Sequence, residues 1–209
     1  MAEARAPAIV GHPTGKCPFG IDPAGAPNLA KAKSLIQKSG LAGTPVTVYS
    51  QQRVPRTQYI TYYASVLNSI GLKATIKSVA DALYFPTIGT LKLHPQTGFA
   101  DWNEDFPNPG DFYLLLDKNS IQATGNVNYG EVNDPKIQTG ITTLDKVPAS
   151  ELKQHASDWS ALDSYTASKA YNIVFGYQTW PVFASTKVDY SKLVVQLTYG
   201  WDWTSIKLK

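Results

Sequence analysis

Helical and strand patterns alternate along the first half of the chain, and this alternation limits the possible folds more than any other feature. The first helical pattern begins at a candidate N-cap, Asn28, and stops at Gly40. The patterns that follow predict a strand at 46–49, a helix between Pro55 and Gly71, a strand at 72–79, a helix at 80–89 and a strand at 97–102. Strands that alternate with helices over short connections favour an α/β fold, with a mostly parallel sheet covered by helices on both faces.

The second half of the chain is predicted to add three helices and a β-rich C-terminal end. The helices are expected at 110–117, from the capping segment Asn133-Asp134-Pro135 to about Lys146, and after the cap Ser150, the last one being the longest. Residues 172–209 are aromatic and β-prone. Residues 1–26 are predicted to be an irregular lead-in, and residues 27–209 a single α/β domain.

Composition excludes several classes of function. The chain has 209 residues, 43% of them hydrophobic, which is enough for one domain with a core. Its net charge of +3 is spread thinly, so no nucleic-acid partner is predicted. No apolar run reaches the roughly 18 residues of a membrane span, and the first residues lack the apolar core of a signal peptide. The only cysteine, Cys17, is either a free thiol or paired outside this segment.

The segment 101–109 combines three carboxylates, one indole and two prolines. It follows a predicted strand, and ligands of parallel sheets bind beyond the carboxyl ends of the strands. The carboxylates of Asp101, Glu104 and Asp105 can serve as an acid–base pair, bind a hard cation, or hold an ammonium group against the ring of Trp102. A purely structural, proline-punctuated turn is an equally good interpretation.

Motifs for other chemistry are absent from the sequence. The three histidines have no zinc-site spacing, there is no Gly-x-Ser-x-Gly elbow, and the segment 11–17 is one residue short of a phosphate loop. We therefore expect no cofactor, no metal and no catalytic residue. One rival hypothesis is a small α/β enzyme that uses the Asp101, Glu104 and Asp105 carboxylates. Another is an interaction domain that uses Trp201 and Trp203, which are predicted to face the same side of one strand.

Several elements carry a resemblance to a known family. Residues 102–112 fit the pattern Trp-x-x-Asp-aromatic-x-x-Pro-x-x-Phe, residues 128–135 fit an Asn-aromatic-small loop followed by Asn-Asp-Pro, and the chain closes with Gly-Trp-Asp-Trp at 200–203. In this order and spacing they resemble the C-terminal lobe of the family 5 extracellular solute-binding proteins of ABC transporters, which bind dipeptides and oligopeptides.

The resemblance implies one lobe of a periplasmic-binding-protein type II-like fold and a role in binding rather than catalysis. It implies that Asp105 receives the free amino group of a peptide or another amine-bearing solute, that Trp102 lines the pocket, and that Glu104 has no role. It also implies a missing N-terminal lobe that closes on the ligand and a membrane permease as partner. The parent protein is then expected outside the cytoplasm, in the periplasm or at the cell surface, with or without a lipid anchor.

Overall fold

The computed structural model describes residues 27–103, 105–106, 108–174, 183–196 and 200–209. The predicted lead-in and Cys17 lie outside these residues. The described residues divide into two compact units. We call the first, within Lys16–Asp101 and Tyr113–Thr143, the sheet unit, and the second, within Trp102–Phe112 and Leu144–Lys209, the C-terminal unit.

The sheet unit is built on three parallel strands. They are β1 (Pro45–Gln51), β2 (Lys73–Val79) and β3 (Thr97–Gly98), in the order β2-β1-β3. The helices along the chain are α1 (Leu29–Lys38), α2 (Arg56–Ser69), α3 (Tyr84–Ile88), α4 (Gly110–Tyr113), α5 (Pro135–Leu144) and α6 (Ala156–Lys169). The predicted α/β class with a parallel sheet is therefore confirmed.

Helices cover both faces of this sheet because successive side chains of β1 point in opposite directions. Val48, fully buried, packs with Ile60 of α2 on one face. Tyr49 packs with Tyr84 and Ile88 on the other face, where α3 lies. Each aliphatic side chain buried in this way contributes about 1.5–3 kcal/mol, which is more than the differences in intrinsic helix propensity among residues other than proline.

The ends of the first two helices follow the local sequence signals. The side chain of Asn28 accepts a hydrogen bond from the Lys31 N–H at 2.9 Å, which makes it the N-cap of α1. Gly40, just past the end of α1, has a φ of 75°, a conformation that favours glycine. The predicted helix between Pro55 and Gly71 is observed as α2.

Three predicted elements are shorter than expected or interrupted. Strand β3 ends at Gly98, and the carbonyl of the next residue, Phe99, accepts a hydrogen bond from the Tyr84 hydroxyl. The helix predicted at 80–89 is a 3₁₀ turn, Asp81–Leu83, followed by the short α3, and the helix predicted at 110–117 is only the four residues of α4.

The helix that was expected to be the longest, α6, has 14 residues, as many as α2, and its start was predicted wrongly. Ser150 lies in a 3₁₀ turn, Ala149–Glu151, and α6 begins only after His155. The residues between them form i→i+3 bonds, such as Gln154 N–H to the Glu151 carbonyl at 2.9 Å, and these tighter turns separate Ser150 from the helix. The predicted inner face is observed: Trp159 and Leu162 are both buried.

The C-terminal end contains a short antiparallel pair, β4 (Val195–Gln196) and β5 (Gly200–Trp201). Trp203 lies in a 3₁₀ turn, Trp203–Ser205, so it does not share a strand with Trp201 as predicted. The Asp202 carboxylate causes this turn by accepting the Thr204 N–H at 2.9 Å, and hydrogen bonds from Thr204 lower the pKa of Asp202. Within the described residues, no helix has the length and apolarity needed to cross a membrane.

Candidate functional site

Two of the three carboxylates of the predicted acidic cluster, those of Asp101 and Asp105, lie in the part of the chain that the structure describes. Asp101 is the last residue of the first segment of the sheet unit, whereas Trp102 and Asp105 belong to the C-terminal unit. Glu104 lies outside the described residues. The two carboxylates that can be compared, those of Asp101 and Asp105, have different surroundings.

Asp101 belongs to a chain of polar contacts at the carboxyl ends of the strands. Gln51, the last residue of β1, is buried, and its side-chain amide donates to the side chain of Asp81 and, at 3.3 Å, to the Asp81 carbonyl. Its side-chain oxygen accepts from Arg56, the first residue of α2. The other terminal nitrogen of Arg56 forms an ion pair with Asp101. Charged and amide groups thus join the ends of β1, β2 and the segment after β3.

Aromatic rings surround this ion pair. The Arg56 guanidinium lies 4.8 Å from the ring centroid of Phe99 and 5.8 Å from that of Phe85, within cation–π range. Tyr129 stands 6.4 Å from Phe85, and burial, together with the Asp101 charge, raises the pKa of Tyr129. The Arg56 side chain is only 13% exposed. These contacts make the pair a structural element of the sheet unit.

The sequence interpretation missed Arg56 and Gln51. Their positions in the sequence could have identified them. Gln51 ends a buried strand and Arg56 begins the next helix, and parallel sheets place functional or linking side chains at such positions. Because Asp101 is committed to Arg56, it is not the free carboxylate of an acid–base pair. Among the described residues, no group of three or more His, Cys, Asp or Glu side chains is placed to hold a metal ion.

Asp105 lies in a tight corner that ends at α4. Its side chain is exposed, and within the described part of the chain its carboxylate has no hydrogen-bond or ion-pair partner. Its backbone N–H donates to the Asp111 carboxylate, N to Oδ2 2.7 Å. The Phe106 carbonyl accepts the Asn108 N–H at 2.7 Å. The corner therefore fixes its backbone internally and leaves the Asp105 carboxylate available to a cation.

Trp102 is half-buried, and its indole Nε1 is buried without a hydrogen-bond partner among the described residues. A buried indole N–H usually has a partner, because leaving it unpaired costs free energy. Trp102 thus places a half-buried apolar ring in the same unit as the exposed Asp105 carboxylate. An ammonium group and the apolar part of a ligand match this combination.

Several solved structures share the fold of this chain, among them the following three. The clavulanic acid biosynthesis oligopeptide binding protein 2 matches with a TM-score of 0.75 and 21% identity, over 90% of this chain and 35% of its own. The ABC transporter-associated periplasmic binding protein DppA from Helicobacter pylori, in complex with the peptide STSA, matches with a TM-score of 0.65 and 21% identity, over 82% of this chain and 32% of its own. NikA from Staphylococcus aureus, in complex with Ni(L-His)₂, matches with a TM-score of 0.53 and 18% identity, over 69% of this chain and 32% of its own.

The chain spans about a third of the length of these proteins. No protein-family model matches the sequence, and no curated protein does. At these identities the similarity shows the fold: this chain has the α/β architecture of one region of periplasmic solute-binding proteins, as the sequence resemblance predicted.

Proposed function

We propose that this chain is the C-terminal, ligand-binding lobe of a family 5 solute-binding protein of an ABC transporter. The observation that carries the proposal is the match of 90% of the chain, at a TM-score of 0.75, to a protein named as an oligopeptide binding protein. The Trp-x-x-Asp pattern at Trp102 and Asp105 supports it independently. The proposal implies an extracytoplasmic parent protein, a second lobe and a permease partner.

The ligand class is a peptide or another small solute with a free amino group. The exposed Asp105 carboxylate would accept a charge-assisted hydrogen bond from the ammonium group, and the ring of Trp102 would form an apolar wall. Closure of a second lobe by a hinge motion would then remove water from the pair and strengthen it. In that closed form, Asp105→Asn is expected to cost about 2–5 kcal/mol of binding free energy.

The rival enzyme hypothesis has less support. It uses Asp101, Glu104 or Asp105 as the acid or base; Asp101 is paired with Arg56, and Glu104 lies outside the described residues. Asp105 has no general-base or nucleophile partner among the described residues, and a binding role requires none.

The test is a nuclear magnetic resonance titration of the isotope-labelled chain with the tetrapeptide Ser-Thr-Ser-Ala and with its N-acetylated form. We expect the free peptide to shift the Asp105 amide and Trp102 indole signals, and the acetylated peptide to shift them much less. Asp105→Asn should remove the difference between the two peptides. Glu151→Gln, which removes one exposed carboxylate elsewhere in the same unit, should leave it unchanged.

Equal shifts with the free and the acetylated peptide would overturn the assigned role of Asp105. A complete lack of shifts with the free peptide, up to its solubility limit, would overturn the proposal that this lobe recognises peptides.

A further inference from the structure

We propose that Asp111 is the positioning residue of the Asp105 site. Its buried carboxylate holds the backbone of Asp105 and thereby sets the direction in which the Asp105 side chain leaves the corner. The inference rests on the proposed function for its consequence in ligand binding, but the contact itself can be tested without a ligand.

Asp111 is completely buried, and its Oδ2 accepts the Asp105 N–H at 2.7 Å. Its other oxygen, Oδ1, is buried and has no hydrogen-bond partner among the described residues. Burying a carboxylate with one oxygen unpaired costs free energy, and an apolar side chain would avoid this cost. An apolar residue at position 111 could not accept the hydrogen bond from the Asp105 amide, so this bond is what the aspartate provides.

The position of Asp111 is itself closely constrained. Its own N–H donates to the Asn108 carbonyl at 3.0 Å, and the Asn108 side chain accepts the Gly110 N–H at 2.9 Å. A Cβ atom on Gly110 would overlap the Asp145 carboxylate and lie 3.3 Å from the Asn108 side-chain oxygen. The start of α4 therefore has little room to move. Because Asp111 is held in place, its single hydrogen bond also fixes the position of the Asp105 backbone.

A positioned carboxylate binds a cation better than a mobile one, because less conformational freedom is lost when the ligand arrives. The loss of affinity should affect only ligands with a free amino group, because Asp111 holds Asp105, the residue proposed to bind that group. We expect Asp111→Ala to weaken the binding of free Ser-Thr-Ser-Ala by up to about tenfold, the cost of ordering one side chain when the ligand binds. Binding of the acetylated peptide should change little.

The experiment compares Asp111→Ala and Asp111→Asn with a matched control, Asp117→Ala. The Asp117 carboxylate accepts the Asn119 N–H at 2.9 Å, so the control removes a similar aspartate–backbone bond from the sheet unit. The first measurement is hydrogen exchange of the Asp105 amide in the unliganded chain. It should accelerate in Asp111→Ala, accelerate less in Asp111→Asn, whose side-chain oxygen still accepts, and remain unchanged in the control.

The second measurement is the ratio of affinities for the free and the acetylated peptide. The ratio should fall in the Asp111 variants and not in Asp117→Ala. If Asp111→Ala does not fold, Asp111→Asn gives both readouts. Unchanged exchange at Asp105 would refute the contact, whereas faster exchange with an unchanged ratio would refute the positioning role. A wild-type chain that does not discriminate between the peptides would instead contradict the proposed function, and the exchange result would still decide whether Asp111 holds Asp105.

Discussion

Tyr84 holds the segment that leads from the sheet to Asp101, and Tyr84→Phe tests this role. Its side chain is completely buried, and its hydroxyl donates to the Phe99 carbonyl at 2.7 Å and lies 3.2 Å from the Tyr49 carbonyl. These two acceptors belong to neighbouring parts of the sheet, just where β3 ends. Phenylalanine keeps the ring and its packing, so the substitution removes only the hydroxyl and its bonds.

The expected cost at neutral pH is about 1–2 kcal/mol, because one donor is lost and two carbonyls, one buried and one partly buried, lose a partner. For a chain of this size, each kcal/mol shifts the melting temperature by about 2–4 °C. The expected fall in the melting temperature of Tyr84→Phe is therefore about 2–8 °C.

The cost should also depend on pH. Burial, the largest cause, raises the pKa of Tyr84 above its ordinary value of 10.0, and the hydrogen bond to Phe99 offsets this only in part. Above about pH 10 the unfolded chain loses the phenol proton while the native chain retains it, so the native state loses stability as the pH rises. Phenylalanine does not titrate, so the stability difference between wild type and Tyr84→Phe should shrink above about pH 10. Tyr129, whose pKa is also raised, is present in both proteins, and its charge is one of the lesser causes that raise the pKa of Tyr84.

The assay is urea unfolding at neutral pH and at about pH 11, with Tyr62→Phe as the control. Tyr62 lies on α2 and is 62% exposed, so removing its hydroxyl should change the stability little. A Tyr84→Phe cost no larger than that of Tyr62→Phe would refute the hydrogen-bonding argument. A stability difference that stays constant or grows at alkaline pH would refute the pKa argument.

Two further predictions concern stability. Asn128 is completely buried; its side chain accepts the Val132 N–H at 2.9 Å and donates to the Val132 carbonyl at 2.9 Å. Asn128→Ala should therefore lower the free energy of unfolding, measured by denaturant titration, by about 2–4 kcal/mol. A loss under about 1 kcal/mol would contradict these bonds. A Cβ atom on Gly98 would lie 2.8 Å from the Tyr49 carbonyl oxygen, which is backbone and cannot rotate away. Gly98→Ala should therefore lower the free energy of unfolding by about 1–3 kcal/mol. Gly130→Ala should lower it measurably less, because its Cβ would meet only a side chain, at 3.4 Å. Equal losses would contradict the close approach of β1 and β3.

Local signals in the sequence predicted the elements that depend on neighbouring residues. Asn28 caps α1 because its side chain reaches an N–H three residues ahead, and this reach does not depend on the rest of the fold. The alternation of helices and strands predicted the parallel sheet, since strands in that order need crossover helices. The position of the acidic corner after the third strand was also readable from the sequence.

The tertiary structure alone decided which carboxylate is engaged and which is available. Asp101 and Asp105 are four positions apart and chemically identical, and the sequence interpretation treated them as one cluster. Arg56 is 45 positions from Asp101, and the two meet only because β1 and β3 are neighbours in the sheet and α2 begins at the same edge. Asp105 has no such partner among the described residues and stays exposed. A sequence determines which charges are present, but their pairing depends on strand order and helix packing, which bring distant segments within hydrogen-bonding distance.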